Sequence, residues 1–168
     1  MKKRIIIGLA LTLAMASTVL AQQDDESAHA ADTLFIGAAA ASNVFEIGSA
    51  RLAVENAESQ DVKDLAQTII EDHTKAESQL LQVAEGLDAK PNSEPTSAQQ
   101  LMLNYLGTLS GTEFDAAYLE QQVVAHQEAV GLFEIASGLV QDQQLKAFVD
   151  ETLPVLQEHT QMVVDLAQ

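Results

Sequence analysis

Three histidines occupy positions where a helical sequence pattern calls for apolar side chains. His73, His126 and His159 each fall on a stripe of apolar residues spaced alternately by three and four, the period of one helix face. A histidine in such a stripe points at whatever its helix packs against. One buried histidine is usually a core residue satisfied by its neighbours, but three on three different helices predict a shared centre.

A carboxylate joins these histidines at a similar predicted depth. Glu46 and His73 lie almost equally far from the predicted turn at 59–61, so they should be level across a helical hairpin. His126 lies in the middle of its predicted helix. His159 lies about four or five residues beyond mid-level, an offset of about 6–8 Å along the helix axis.

Imidazoles and a carboxylate are ordinary ligands for zinc and are accepted by iron, copper and manganese. The sequence therefore predicts a site for one divalent transition-metal ion, zinc or iron, with the ligands Glu46, His73, His126 and His159. Polar residues that could orient the imidazoles or add a hydroxyl are Asp72, Glu77, Gln122 and Tyr118. The alternative is a buried polar network that fixes the register of the helices without a metal.

The N-terminus predicts export from the cytoplasm. A basic start at 2–4 is followed by an apolar run at 5–20, and Val19-Leu20-Ala21 has small residues where a signal peptidase cuts. The run is short for a membrane span, which favours a cleaved signal peptide at 1–21 over an uncleaved anchor. We expect a periplasmic or secreted protein without a membrane span after cleavage.

The charge balance narrows the range of partners. The chain has a net charge of −17, and loss of the signal peptide would leave five basic residues against 25 acidic ones. Such a polyanion is a poor ligand for nucleic acid or anionic lipid. The absence of cysteine excludes disulfides and thiolate metal sites. An envelope protein remains a candidate partner, and the oligomeric state is open.

The remaining chain predicts an all-α domain at 33–168, after a flexible acidic lead-in at 22–32. Aromatic residues make up only 4% of the sequence, alanine is abundant, and β-type alternation is lacking. Four long helices and one short helix are predicted at 33–58, 62–85, 97–109, 112–138 and 141–168. A turn at 59–61 and a crossover at 88–111 make two helical hairpins joined by a long connection. Asp32 or Thr33 is the expected N-cap of the first helix.

From about Leu34 to Ala167 the sequence resembles the DUF4142 family, exported bacterial proteins of unknown function. The matching motifs are Glu46-Ile47, 62–66 followed by Asp72-His73, Phe114-Asp115 with Tyr118, His126 with Phe133-Glu134, and Leu153-Pro154 followed by His159. The resemblance implies a ferritin-like four-helix bundle and implies no particular activity.

The motif of ferritin-like oxidases is missing from these helices. Those enzymes place a glutamate three residues before a histidine on each of two helices. Here the residues three before the histidines are Ile70, Val123 and Leu156. This argues against ferroxidase or di-iron oxygenase chemistry and favours binding, storage or a stress-related role over catalysis. The rival hypotheses are an interaction module with structural histidines and a metal-dependent redox enzyme.

Overall fold

The computed structural model describes the backbone of residues 10–92 and 94–168, and the side chains of residues 29–92 and 94–168. Residues 1–9 of the predicted signal peptide lie outside the described residues. The described chain forms five helices: α1 (Ala10–Asn56), α2 (Gln60–Gly86), α3 (Ser97–Leu106), α4 (Gly111–Leu139) and α5 (Gln143–Leu166). Within these residues, no helix combines the length and apolar character needed to cross a membrane.

The four long helices form a bundle of two antiparallel hairpins, which confirms the predicted all-α, ferritin-like architecture. Helix α1 packs on α2 and α4, while α5 packs on α4 and α2. The crossover containing α3 returns the chain to the end of α1, where Ala57 pairs with Gly111. Gly111 has a φ of 66°, a left-handed conformation that favours glycine at this junction.

Helix α1 begins earlier than the sequence predicts. It includes residues 22–32, for which we expected a flexible lead-in, and it runs through the predicted N-cap positions. Thr33 does not cap the helix, because its hydroxyl donates to the carbonyl of His29 one turn earlier. Asp32 instead accepts hydrogen bonds from the backbone N–H groups of Gln141 and Asp142, in the loop between α4 and α5.

The buried interior of the described chain is divided into three layers. One apolar cluster, containing Phe35, Leu80 and Phe133, fills the end near the α4–α5 loop. A second, containing Leu65, Phe114 and Val163, fills the end near the α1–α2 loop. The residues between them on all four long helices are polar and buried: Asn43, Glu46, Ser49, His73, Gln122, His126 and His159. This polar layer contains all the residues predicted to bind metal.

Candidate metal centre

The three histidines meet at the centre of the polar layer. His73 comes from α2, His126 from α4 and His159 from α5, and all three are buried. The ring centroid of His73 lies 5.7 Å from that of His126 and 5.5 Å from that of His159, and the last two are 5.5 Å apart. The bundle therefore brings together three imidazoles that lie 53 and 33 residues apart in the sequence.

One ring nitrogen from each histidine lies within 4.8 Å of the other two. Nitrogens bound to a single tetrahedral ion at about 2.0–2.1 Å would be separated by about 3.3–3.5 Å. Small rotations of the rings would close the remaining gap. The spacing of the three imidazoles is thus compatible with one metal ion.

One nitrogen of each imidazole contacts an oxygen atom that lies outside the three-histidine cluster. Nδ1 of His73 lies 2.7 Å from Oδ1 of Asn43, whose Nδ2 also donates to the carbonyl of His73. Nδ1 of His126 lies 3.2 Å from the backbone carbonyl of Gln122. Nε2 of His159 lies 3.0 Å from Oδ2 of Asp72. These partners are acceptors, so the nitrogens that face them carry the protons of the neutral rings.

The opposite nitrogen of every ring has no hydrogen-bond partner. Nε2 of His73, Nε2 of His126 and Nδ1 of His159 are buried and unpaired. The outer partners fix the neutral tautomer of each ring, and in that tautomer the unpaired nitrogen carries a lone pair that is free to bind a metal. Metal-binding histidines show this arrangement, with one nitrogen on a protein acceptor and the other on the ion.

Burial keeps the imidazoles neutral. Burial and the nearby rings of His126 and His159 lower the pKa of His73 well below its ordinary value. Burial lowers the pKa of His126 to about 4, against the opposing effect of the Gln122 carbonyl. Burial also lowers the pKa of His159, although Asp72 partly offsets this. A neutral imidazole is the form that can bind a metal.

Glu46 lies beside the three imidazoles. Its Oε1 is 3.7 Å from Nδ1 of His126, and both carboxylate oxygens are buried without a hydrogen-bond partner. Burial raises the pKa of this carboxyl to about 7, while Gln122 and His159 act in the opposite direction. Glu46 approaches His126 on the nitrogen that faces the Gln122 carbonyl. It therefore adds an acidic group next to the cluster of imidazoles.

Tyr118 and Gln122 are two further buried polar residues of the polar layer and its border with the second apolar cluster. The hydroxyl of Tyr118 is buried without a partner, and burial together with Glu46 raises its pKa well above the ordinary value. The side chain of Gln122 donates to Ser49, which leaves its Oε1 unpaired. The hydroxyl that the sequence predicted for Tyr118 is therefore buried and close enough to Glu46 to be affected by its charge.

His159 is closer to the other histidines than the count along the helices predicts. His159 lies about one turn farther from the α4–α5 loop than His126 does. Side chains tilt toward the N-terminus of their helix, and α4 and α5 are antiparallel. The ring of His126 therefore tilts away from the loop and that of His159 toward it, which brings them to one level. The expected 6–8 Å offset ignored this tilt.

The outer partners were predicted only in part. Asp72 contacts His159 through its side chain, whereas Gln122 contacts His126 through its backbone carbonyl. Glu77 makes no hydrogen bond to a histidine in the described part of the chain. Asn43, which binds both the ring and the carbonyl of His73, was not predicted. The asparagine directly after the alanine-rich stretch 38–42 was the available signal, because asparagine is a poor helix former.

The centre has a narrow link to its surroundings. A cavity of about 20 Å³ touches His73, Asn43 and Asp72, which is room for about one water molecule. The side chain of Asp72 is 44% exposed, whereas its partner His159 is buried. Asp72 thus connects the buried centre to solvent through a single hydrogen bond.

These features define the class of protein as a ferritin-like helical bundle with a buried layer of imidazoles and a carboxylate. The chain belongs to the DUF4142 family, described as a domain of unknown function, whose family model matches residues 17–166. This confirms the resemblance found in the sequence. No curated protein matches the chain.

Two solved structures share the fold. A DUF305 protein from Streptomyces coelicolor has a TM-score of 0.70 at 14% identity, covering 81% of this chain and 91% of that one. A DUF305 fragment from Deinococcus radiodurans has a TM-score of 0.72 at 14% identity, covering 82% of this chain and 95% of that one. At this level of identity the likeness concerns the fold alone.

Proposed function

We propose that this protein is an exported metal-binding protein that holds one divalent transition-metal ion, zinc or iron, in its polar layer. His73, His126 and His159 are the primary ligands, and Glu46 is an adjoining carboxyl that a bound cation would keep ionised. The observation that carries the proposal is the set of three unpaired, buried ring nitrogens that lie opposite three paired ones.

A purely structural network explains these nitrogens poorly. A buried acceptor left without a donor costs about 1–3 kcal/mol. Three such nitrogens and two carboxylate oxygens lie together in one layer. Replacing them with apolar side chains would remove this cost, whereas an ion would satisfy the nitrogens without changing the fold. The arrangement is therefore better suited to binding an ion than to fixing helix register.

The proposed role is binding or storage. The imidazoles are buried, and the adjoining cavity has room for about one water molecule, which favours holding an ion over turning over a substrate of ordinary size. The ligands are all hard or borderline nitrogen and oxygen donors, which suits zinc and iron. Export through the N-terminal signal peptide would place this function in the periplasm or outside the cell.

Elemental analysis of protein purified without a histidine tag tests the proposal. We expect about one equivalent of zinc or iron in the wild type, and loss of the metal in His73→Ala, His126→Ala and His159→Ala. His29→Ala is the matched control, because His29 is exposed and lies outside the polar layer. Substoichiometric metal in the wild type, or metal content unchanged by His73→Ala, would contradict the proposal and favour the interaction module.

A further inference from the structure

A groove between α1, α3 and α4 is a second candidate binding site, on the side of the bundle away from Asp72. Its volume is about 730 Å³, within the range of sites for small organic ligands. Alanines 38, 41, 117 and 125 form much of its lining. Because these side chains are short, the facing helices α1 and α4 leave space that no residue of the described chain fills.

Helix α3 covers one side of the groove and is lightly attached to the bundle. Leu106 is the one fully buried residue of α3. Met102 and Tyr105, which line the groove, are 39% and 52% exposed, and Val124 across from them on α4 is 52% exposed. Exposed apolar side chains that line one concave surface are typical of a binding site.

The polar groups of the groove favour a cation. Glu120 and Glu128 lie two turns apart on α4 with Val124 between them, so the two carboxylates flank the apolar surface. The lining residues in the described chain include no lysine, arginine or histidine.

We propose that this groove binds a small cationic amphiphile, a single apolar chain that carries a primary ammonium group. The apolar chain would cover Met102, Tyr105 and Val124. The ammonium group would lie near Glu120 and Glu128, where it would balance the negative charge of the two carboxylates. An anionic amphiphile of the same length would be repelled by these carboxylates.

Isothermal titration calorimetry with decylammonium, below its micelle concentration, tests this site. We expect saturable binding of one equivalent to the wild type, with decanoate binding on the order of tenfold more weakly. Ala125→Phe should abolish binding by filling the groove. Glu120→Gln/Glu128→Gln should weaken it on the order of fivefold, since exposed charge pairs contribute modestly.

Glu113→Gln/Glu134→Gln is the matched control, because it removes the same charge from exposed positions of α4 that do not line the groove. Its affinity should equal that of the wild type. Circular dichroism verifies that Ala125→Phe is folded, and the exposed glutamate variants test the site independently of that substitution. Equal binding of decanoate and decylammonium, or equal losses in both double variants, would overturn the proposal. Self-association of the wild type without ligand binding would also overturn it and would assign the groove to a second copy of the chain.

Discussion

At the scale of single residues, each imidazole of the centre contacts the protein through one nitrogen, and its other nitrogen is buried without a hydrogen-bond partner. The outer contacts differ in chemistry: an amide at His73, a backbone carbonyl at His126 and a carboxylate at His159. A carboxylate makes the attached imidazole a stronger donor to a metal than a neutral acceptor does. Asp72 should therefore matter for affinity even though it does not touch the ion.

We expect Asp72→Ala to lower the affinity for zinc about 10- to 100-fold, because His159 loses the partner that orients its ring. Competition with a chromophoric chelator measures this change. Asp64→Ala is the control, since Asp64 is an exposed carboxylate of the same helix that contacts Gln60. An equal loss of affinity in both variants would indicate a general effect of charge rather than a role for Asp72.

Acid should destabilise the metal-free protein through its histidines. Their pKa values are lowered in the folded state, so below about pH 6.5 the unfolded chain takes up protons that the folded chain does not. Glu46 acts oppositely: with a pKa of about 7, its folded form holds a proton that the unfolded form releases above about pH 4.5. Three histidines against one carboxyl give a net loss of stability as the pH falls.

The measurement is chemical denaturation between pH 7 and pH 5 in the presence of a chelator. His126→Leu removes a group whose pKa in the folded protein is about 4. From pH 7 to pH 5, the free energy of unfolding of this variant should therefore fall by about 2 kcal/mol less than that of the wild type. His29→Ala should follow the wild type. Parallel pH profiles for wild type and His126→Leu would show that His126 does not titrate as described.

The sequence predicted which residues share the polar layer but not how they are paired. Stripe position determines which helix face a residue occupies, and this placed His73, His126 and His159 inside the bundle. Counting from the turn at 59–61 placed Glu46 level with His73. The partner of each ring nitrogen depends on side-chain rotation and on neighbours on other helices, which periodicity does not specify. Asn43 was missed for that reason, since its role depends on reaching His73 across the hairpin.

At the scale of helices, two aspartates tie each hairpin to the loop of the other. Asp32 in α1 accepts from the backbone of Gln141 and Asp142 in the α4–α5 loop. Asp115 in α4 accepts from the backbone of Glu58 and Ser59 in the α1–α2 loop. The two contacts lie at opposite ends of the bundle and satisfy N–H groups near the starts of α5 and α2.

Removing either aspartate should destabilise the bundle. We expect Asp32→Ala and Asp115→Ala each to lower the free energy of unfolding by about 1–3 kcal/mol, because each loses charge-assisted hydrogen bonds to a loop. The effects should add in the double variant, because the sites share no partner. Urea denaturation measures the change. Glu113→Ala, which removes an exposed carboxylate near the start of α4, should leave stability nearly unchanged.

Helix boundaries were predicted well where local chemistry defines them and less well where distant residues do. The short helix α3 begins at Ser97 as predicted, and a capping box of Thr96 and Gln99 defines this start. The expected cap at Asp32 is wrong because α1 continues through this position and the aspartate serves a distant loop. A tertiary role of this kind leaves no local pattern.

At the scale of the whole molecule, the fate of the N-terminal segment determines whether the protein is released into the periplasm or stays in the membrane. Cleavage after Ala21 would leave Asp32 and its contact with the α4–α5 loop within the mature chain. We expect mass spectrometry of protein from a bacterial periplasmic fraction to give a mature N-terminus at Gln22. Full-length chain retained in the membrane fraction would contradict cleavage and would support the anchor.

The candidate ligands are divided equally between the two halves of the bundle. Glu46 and His73 belong to the first hairpin, and His126 and His159 to the second. An ion held by all three imidazoles would cross-link the two hairpins through the interface between them. Separation of the hairpins and dissociation of the ion would then be one event. The dissociation rate of the metal would therefore report how often the interface between the hairpins opens.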